Sequence, residues 1–170
     1  MTKRGPGELT AGYDGALRAW AAGVALLTIA DGRDDIGATV SACCPVSDDP
    51  PQILVSLMAE SYPAEVLSRA SHFALTLLSA GQRAVAGRFS ASGRPGARLM
   101  LDGVPHHRGE LSGALIPDDG LAALECAVAQ RVPAGDHLLL IAAVLAARPA
   151  ARDEAPLIRF RGGYPALASR

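Results

Sequence analysis

Residues 37–61, GATVSACCPVSDDPPQILVSLMAES, concentrate side chains that can meet a ligand. Thr39 and Ser41 bring hydroxyls, Ala42 keeps the backbone open, Cys43 and Cys44 follow, and Ser47 and Asp49 lead into Pro50–Pro51. Small residues let a backbone approach a flat ligand, and hydroxyls and free N–H groups give directed hydrogen bonds. The double proline fixes a turn into the next strand. A second group is Gly135-Asp136-His137, where a carboxylate adjoins an imidazole and can fix its tautomer. Arg88, Arg94 and Arg98 are phosphate anchors or solvated charges, and Tyr164 follows two glycines that permit close backbone approach. His106 and His107 are adjacent, so on an extended chain they point apart, and no third metal ligand lies at a suitable spacing. The Cys43–Cys44 pair reads as small strand residues ahead of a vicinal redox pair.

Several chemistries have no sequence signature here. No G-x-G-x-x-G follows a strand, and no P-loop, HExxH or CxxC occurs. The chain has 170 residues, enough for one domain with a core, and is 49% hydrophobic. A net charge of −1 supplies no basic field for nucleic acid or anionic lipid. Three cysteines make a poor disulfide framework and imply a reducing cytoplasm. The start, MTKRGPGELTAGYDG, lacks the apolar stretch of a signal peptide, and the longest apolar run, 138–147, is too short to span a bilayer. A soluble cytoplasmic protein is expected.

The elements that must position these residues follow from periodicity. A flexible tail over 1–12 precedes a single domain over 13–170. Leu17, Trp20 and Ala21 give an amphipathic helix over 13–22, and a β-branched run gives a strand over 23–30 that pairs with 37–44. Residues 52–58 form the next strand, and Ser61-Tyr62-Pro63 opens a helix carrying Val66 and Leu67. A strand over 72–78 leads to Ser79 and Gln82 as a capping box, with Val85 and Phe89 buried on the helix that follows. Residues 90–98 read as a loop, and 99–119 carries only turn signals. Over 121–132, Leu124, Cys126, Val128, Gln130 and Val132 alternate with Glu125, Ala127, Ala129 and Arg131, a half-buried strand. After a turn over 133–137 come a central strand, 138–147, a loop, 148–156, and a short strand, 157–160. Six or seven strands and two or three short helices, with turns suited to antiparallel pairing, imply an α+β, mainly β, barrel.

Taken in order, Gly37-x-Thr39-Val40-Ser41, Val46-Ser47-x-Asp49-Pro50-Pro51, Ser61, Arg88-Phe89, Leu124-Glu125-Cys126, Gly135-Asp136-His137 and Arg161-Gly162-x-Tyr164 form a set. It resembles the flavin reductase-like family, the FMN-binding split barrels that include the small component of two-component monooxygenases. The resemblance implies a split β-barrel homodimer with flavin near the interface. It implies FMN or FAD as flavin, NADH or NADPH as hydride donor, and a flavin-dependent monooxygenase as recipient of the reduced flavin. On that resemblance Thr39, Val40 and Ser41 follow the pyrimidine edge of the flavin, and Ser47, Asp49 and Pro50 hold the ring or ribityl chain, Asp49 equally serving as a turn residue. Ser61 is a phosphate ligand or a helix cap, Arg88 a phosphate contact, and Phe89 a flavin-packing ring or a core residue. His137 orients the nicotinamide or donates toward the flavin, and Tyr164 walls the nicotinamide or rims the barrel. Ala42 and Cys44 belong to the same cofactor segment, yet with Pro45 they depart from the family's hydroxyl-rich pattern, removing donors. That departure leaves two alternatives open: a flavin-retaining enzyme acting directly on an organic substrate, as an oxygenase or cyclase, and a non-catalytic flavin-binding module.

Overall fold

In the computed structural model the described residues are 6–32, 35–91, 93, 95–149 and 153–167. The chain opens with helix α1 (Pro6–Arg18), strand β1 (Ala22–Gly23), and strands β2 (Ala25–Ile29) and β3 (Ile36–Val40). Strands β4 (Cys43–Asp48) and β5 (Pro51–Met58) follow, then helix α2 (Tyr62–Arg69) and β6 (His72–Leu77). A 3₁₀ turn (Ala80–Gln82) enters α3 (Arg83–Ser90), and α4 (Ala97–Met100), β7 (His106–Arg108) and β8 (Leu115–Pro117) come next. The last elements are β9 (Ala122–Ala134), β10 (His137–Pro149) and β11 (Ile158–Arg159).

Seven strands pair antiparallel in the order β3-β2-β6-β9-β10-β5-β4, and β1–β11 and β7–β8 form two small ribbons. Consecutive strands β3 and β4 thus lie on opposite edges, joined only by Ser41 and Ala42. Three Cα steps from Val40 to Cys43 span at most about 11 Å, so the sheet must curl until its edges nearly meet. Ser56 N–H donates to the Ala42 carbonyl at 2.8 Å and ties the crossing to β5. The result is a split barrel.

Alternation along β2 feeds two cores, which explains why all five of its residues are buried. Ala25, Leu27 and Ile29 face the barrel interior with Val55, Phe73, Leu75, Cys126 and Leu140. Val24 and Leu26 face outward into a second cluster, where Val85 and Phe89 of α3 meet Met100 and Leu101. The helix docks closely because Gly37 has no Cβ: one added there would lie 2.2 Å from the Phe89 ring. At the barrel end, Ser61 caps α2, accepting from Ala64 N–H at 3.4 Å, and Arg131 donates to the Leu67 and Ala70 carbonyls at the other terminus, 2.8 and 2.9 Å away.

Several expectations need correction. Residues 6–12, read as tail, belong to α1, which ends at Arg18, so Trp20 lies beyond the helix and is 72% exposed. The single strand expected over 37–44 breaks at Ser41–Ala42, where the chain changes sheet edge. The turn expected over 133–137 shrinks to Gly135–Asp136, Gly135 adopting φ 61°; Pro133 is tolerated in β9 because it lies beyond the end of the β6–β9 pairing, whose last bond runs from Val128 N–H to the Ser71 carbonyl. The predicted two-faced pattern of 121–132 holds only to Val128: a register shift there puts an extra residue, Ala129, into β9. Val132 therefore pairs with the outward Leu139, and Arg131 with the buried Leu140. His106 and His107 lie in β7 rather than a loop, and α4 and β8 were likewise unforeseen in 97–117.

Candidate functional site

The Ser41–Ala42 crossing forms one wall of a cavity of about 720 Å³. Asp14, Leu17 and Arg18 of α1 and the exposed Trp20 make a second wall. Arg159, Phe160, Arg161 and Gly162 from the β11 turn close the third. The Arg161 N–H donates to the Arg18 carbonyl at 3.0 Å, so helix end and turn are held together. A volume of this size, with small residues on one side and aromatic rings on the other, fits a flat heteroaromatic cofactor.

The register assembles a second surface on the sheet that the crossing joins. Directly opposed residues share a face, so the pairings Cys44–Leu54, Ser47–Gln52, Ser56–Leu139 and Met58–His137 place Cys44, Ser47 and His137 on the outer face of β4–β5–β10, with Ser47 and His137 towards opposite ends of β5. His137 is two strand steps, about 7 Å, from Leu139, whose partner Ser56 binds Ala42. Its Nδ1–H donates to Asp136 Oδ1 at 2.7 Å. That bond, and then the imidazole's charge, hold the Asp136 carboxyl below its ordinary value.

The remaining sequence-derived candidates have other surroundings. Thr39 donates to the Ala86 carbonyl at 2.7 Å, tying β3 to α3. Val40 is buried in the barrel core and Phe89, 1% exposed, in the outer one, so the Phe89 ring serves packing. Arg88 donates to the Met100 carbonyl at 3.0 Å and more weakly to that of Asp102, joining α3 to α4. Tyr164 lies under Arg83, whose guanidinium is 5.7 Å from the ring centroid. Asp49 and Pro50 are exposed in the β4–β5 turn, joined by a cis peptide. Ser61 is half-buried as the α2 cap, and Arg94 lies outside the described residues. Ser41 and Ala42 alone reach the cavity wall; Arg18, Trp20 and Arg159 were missed because no local motif marks them.

Burial disfavours the thiolate at two of the three cysteines. Burial, then the neighbouring Cys44, raises the Cys43 thiol above its usual range. Cys126, fully buried in the core, is pushed up to about 12 by burial and then by Glu125.

A family model described as a flavin reductase like domain matches residues 17–168. The chain belongs to the flavin reductase-like family. It is 36% identical over 157 residues to the FMN reductase (NADH) SmoA of Agrobacterium fabrum, covering 92% of this chain and 85% of that one. With the NADH-dependent FMN reductase AsuE2 of Streptomyces nodosus subsp. asukaensis it shares 33% identity over 148 residues, 85% of this chain and 78% of the relative. The solved structure of BorF, the flavin reductase component of a bacterial two-component tryptophan halogenase, superposes with a TM-score of 0.85 at 28% identity, covering 95% and 99% of the two chains. Like the solved flavin reductase, this family member carries its sheet as a split antiparallel barrel.

Proposed function

We propose that this chain is an NAD(P)H-dependent flavin reductase that transfers hydride from NADH or NADPH to FMN or FAD and supplies the reduced flavin to a partner monooxygenase. The observation that carries the reading is the Ser41–Ala42 crossing, which lines the cavity and is bonded to Ser56 of β5, with His137 on the outer face of the neighbouring strand. Flavin, when bound, supplies the two-electron acceptor, and the chain supplies positioning and exclusion of water. Ser41 and Ala42 present backbone and hydroxyl groups to the pyrimidine edge, where negative charge builds on reduction. Ser61, at a helix N-terminus that favours an anion, takes the ribityl phosphate, and Ser47, in β4 across from Gln52, faces the ring side. His137, oriented by Asp136, holds the nicotinamide amide.

The protein acts as a homodimer in the cytoplasm. Supporting the dimer, Leu54, Met58, Val132, Leu139 and Ile141 leave the outer face of β5–β10–β9 apolar and partly uncovered. No helix among the described residues is long and apolar enough to cross a membrane.

The deciding experiment follows NADH and NADPH oxidation with and without added FMN or FAD. Oxidation that requires and saturates with free flavin is expected. Protein that retains flavin yet leaves free flavin unreduced would replace this reading with direct action on an organic substrate.

A further inference from the structure

The cavity behind Ser41 holds more positive charge than hydride transfer needs. Arg18, Arg159 and Arg161 all line it, against Asp14 as the one acid among the described lining residues, in a chain whose net charge is −1. None of the three guanidinium groups forms an ion pair among the described residues. Their grouping comes from long-range structure: Arg159 lies opposite Ala22 in the β1–β11 ribbon, and the Arg161 N–H is bonded to the Arg18 carbonyl. Arg161 also holds φ 50°, a left-handed conformation that glycine would adopt with less strain. Flanking the cations are two aromatic rings, Trp20, 72% exposed, and Phe160, 5.1 Å from the Arg161 guanidinium. Guanidinium forks bind phosphate oxygens, and an open indole stacks on a purine. Together they describe a nucleotide.

We propose that Arg18, Arg159 and Arg161, with Trp20 as stacking wall, form the subsite for the diphosphate and adenine of the nicotinamide dinucleotide. This rests on the reductase reading, in which the flavin phosphate sits at the Ser61 helix N-terminus and leaves the arginines to the second cofactor. Phosphate on the flavin is the competing source of the same chemistry, and the test separates the two.

Trp20 is the sole tryptophan of the chain, so its fluorescence reports on the cavity directly. ADP titrated into the full-length protein should change that emission saturably, with adenosine binding more weakly. Arg159→Gln should weaken ADP at least about ten-fold, the scale of one lost charge-assisted phosphate contact, and Arg159→Lys should restore part of the loss. Thermal melts check that each variant folds. In turnover, Arg159→Gln and Arg161→Gln should raise the KM for the dinucleotide while the KM values for FMN and riboflavin stay within about two-fold. Absence of a saturable ADP signal, or unchanged ADP affinity in Arg18→Gln, Arg159→Gln and Arg161→Gln, would overturn the subsite. A rise in KM for FMN but not riboflavin would overturn it too, giving the arginines to the flavin phosphate. A wild-type protein that binds ADP yet oxidises no NAD(P)H would instead sink the reductase reading and leave the nucleotide site standing.

Discussion

His137 gains its place from strand register rather than from its neighbours in sequence. Its ring shares an outward face with Cys44 and Met58, and Asp136 occupies Nδ1, so Nε2 is the ring atom available to the proposed nicotinamide. Replacing it with alanine should lower kcat/KM for NAD(P)H about 100-fold, within the range of positioned proton donors, with flavin affinity within about two-fold. Loss of flavin binding instead would move His137 into the flavin pocket. Gly37 is the complementary case, a residue whose importance is steric. A methyl there meets the Phe89 ring at 2.2 Å, so Gly37→Ala should lower stability by about 1–3 kcal/mol, the usual effect of overpacking. Urea titration measures it, and an unchanged midpoint would mean that the ring swings aside. The stretch around Gly37 was legible as a small, hydroxyl-bearing strand segment, but its division of labour was not. Thr39 turns to a helix carbonyl and Ser41 to the cavity because the chain changes sheet edge between them.

Periodic elements were readable, and the segment from α4 to β8 was not, because long-range ion pairs hold it. Asp35, its side chain 1% exposed, pairs with Arg98 at 2.6 Å and Arg108 at 2.8 Å. Glu125 accepts from Leu111 N–H, Ser112 N–H and the Ser112 hydroxyl at 2.9, 2.6 and 2.7 Å. No window of sequence near 97–117 contains those partners. Burial by itself would raise Asp35, but the bonds from Arg108 and then Arg98 prevail and hold it below 3.8. Glu125 likewise stays below 4.5, burial being outweighed by the Ser112 hydroxyl and the loop amides. Both folded values are depressed, so each carboxylate's contribution is complete above its unfolded value and is lost as pH falls through the lower folded one. Unfolding free energy should therefore drop on the acid side of about pH 5. Asp35→Asn should cost about 2 kcal/mol at neutral pH, a charged hydrogen-bond contribution, and should flatten that acid limb. Urea midpoints at neutral and acid pH read both effects. A mutant that keeps the wild-type acid slope would show that other carboxylates carry it.

At the scale of the whole molecule, alternating strands and short turns announced an antiparallel barrel, but two register shifts hid which residues face outward. One inserts Ala129 into β9 and the other Leu145 into β10, and each reverses the alternation beyond it. In the folded chain Val132, Leu139 and Ile141 stand beside Leu54 and Met58, Val132 being 40% and Met58 62% exposed. Water gains nothing from such a face, and a second copy of the chain would cover it while meeting the same surface that carries Cys44 and His137. The proposed dimer would be a two-fold pair of the standard size, about 1,600 Å² buried. Sedimentation of the wild-type protein should give a dimer at micromolar concentration. The double substitution Val132→Lys, Ile141→Lys places cations at the centre of the face and should weaken dimerisation more than about 100-fold, the effect of two lost central contacts. The barrel core lies on the opposite side of these strands, so the resulting monomer should still melt cooperatively. If the monomer also loses NAD(P)H oxidation while keeping ADP binding, the flavin side of the site needs the second copy and the arginine side does not. A wild-type monomer would remove the dimer altogether, and a double variant that stays paired would move the interface to another face.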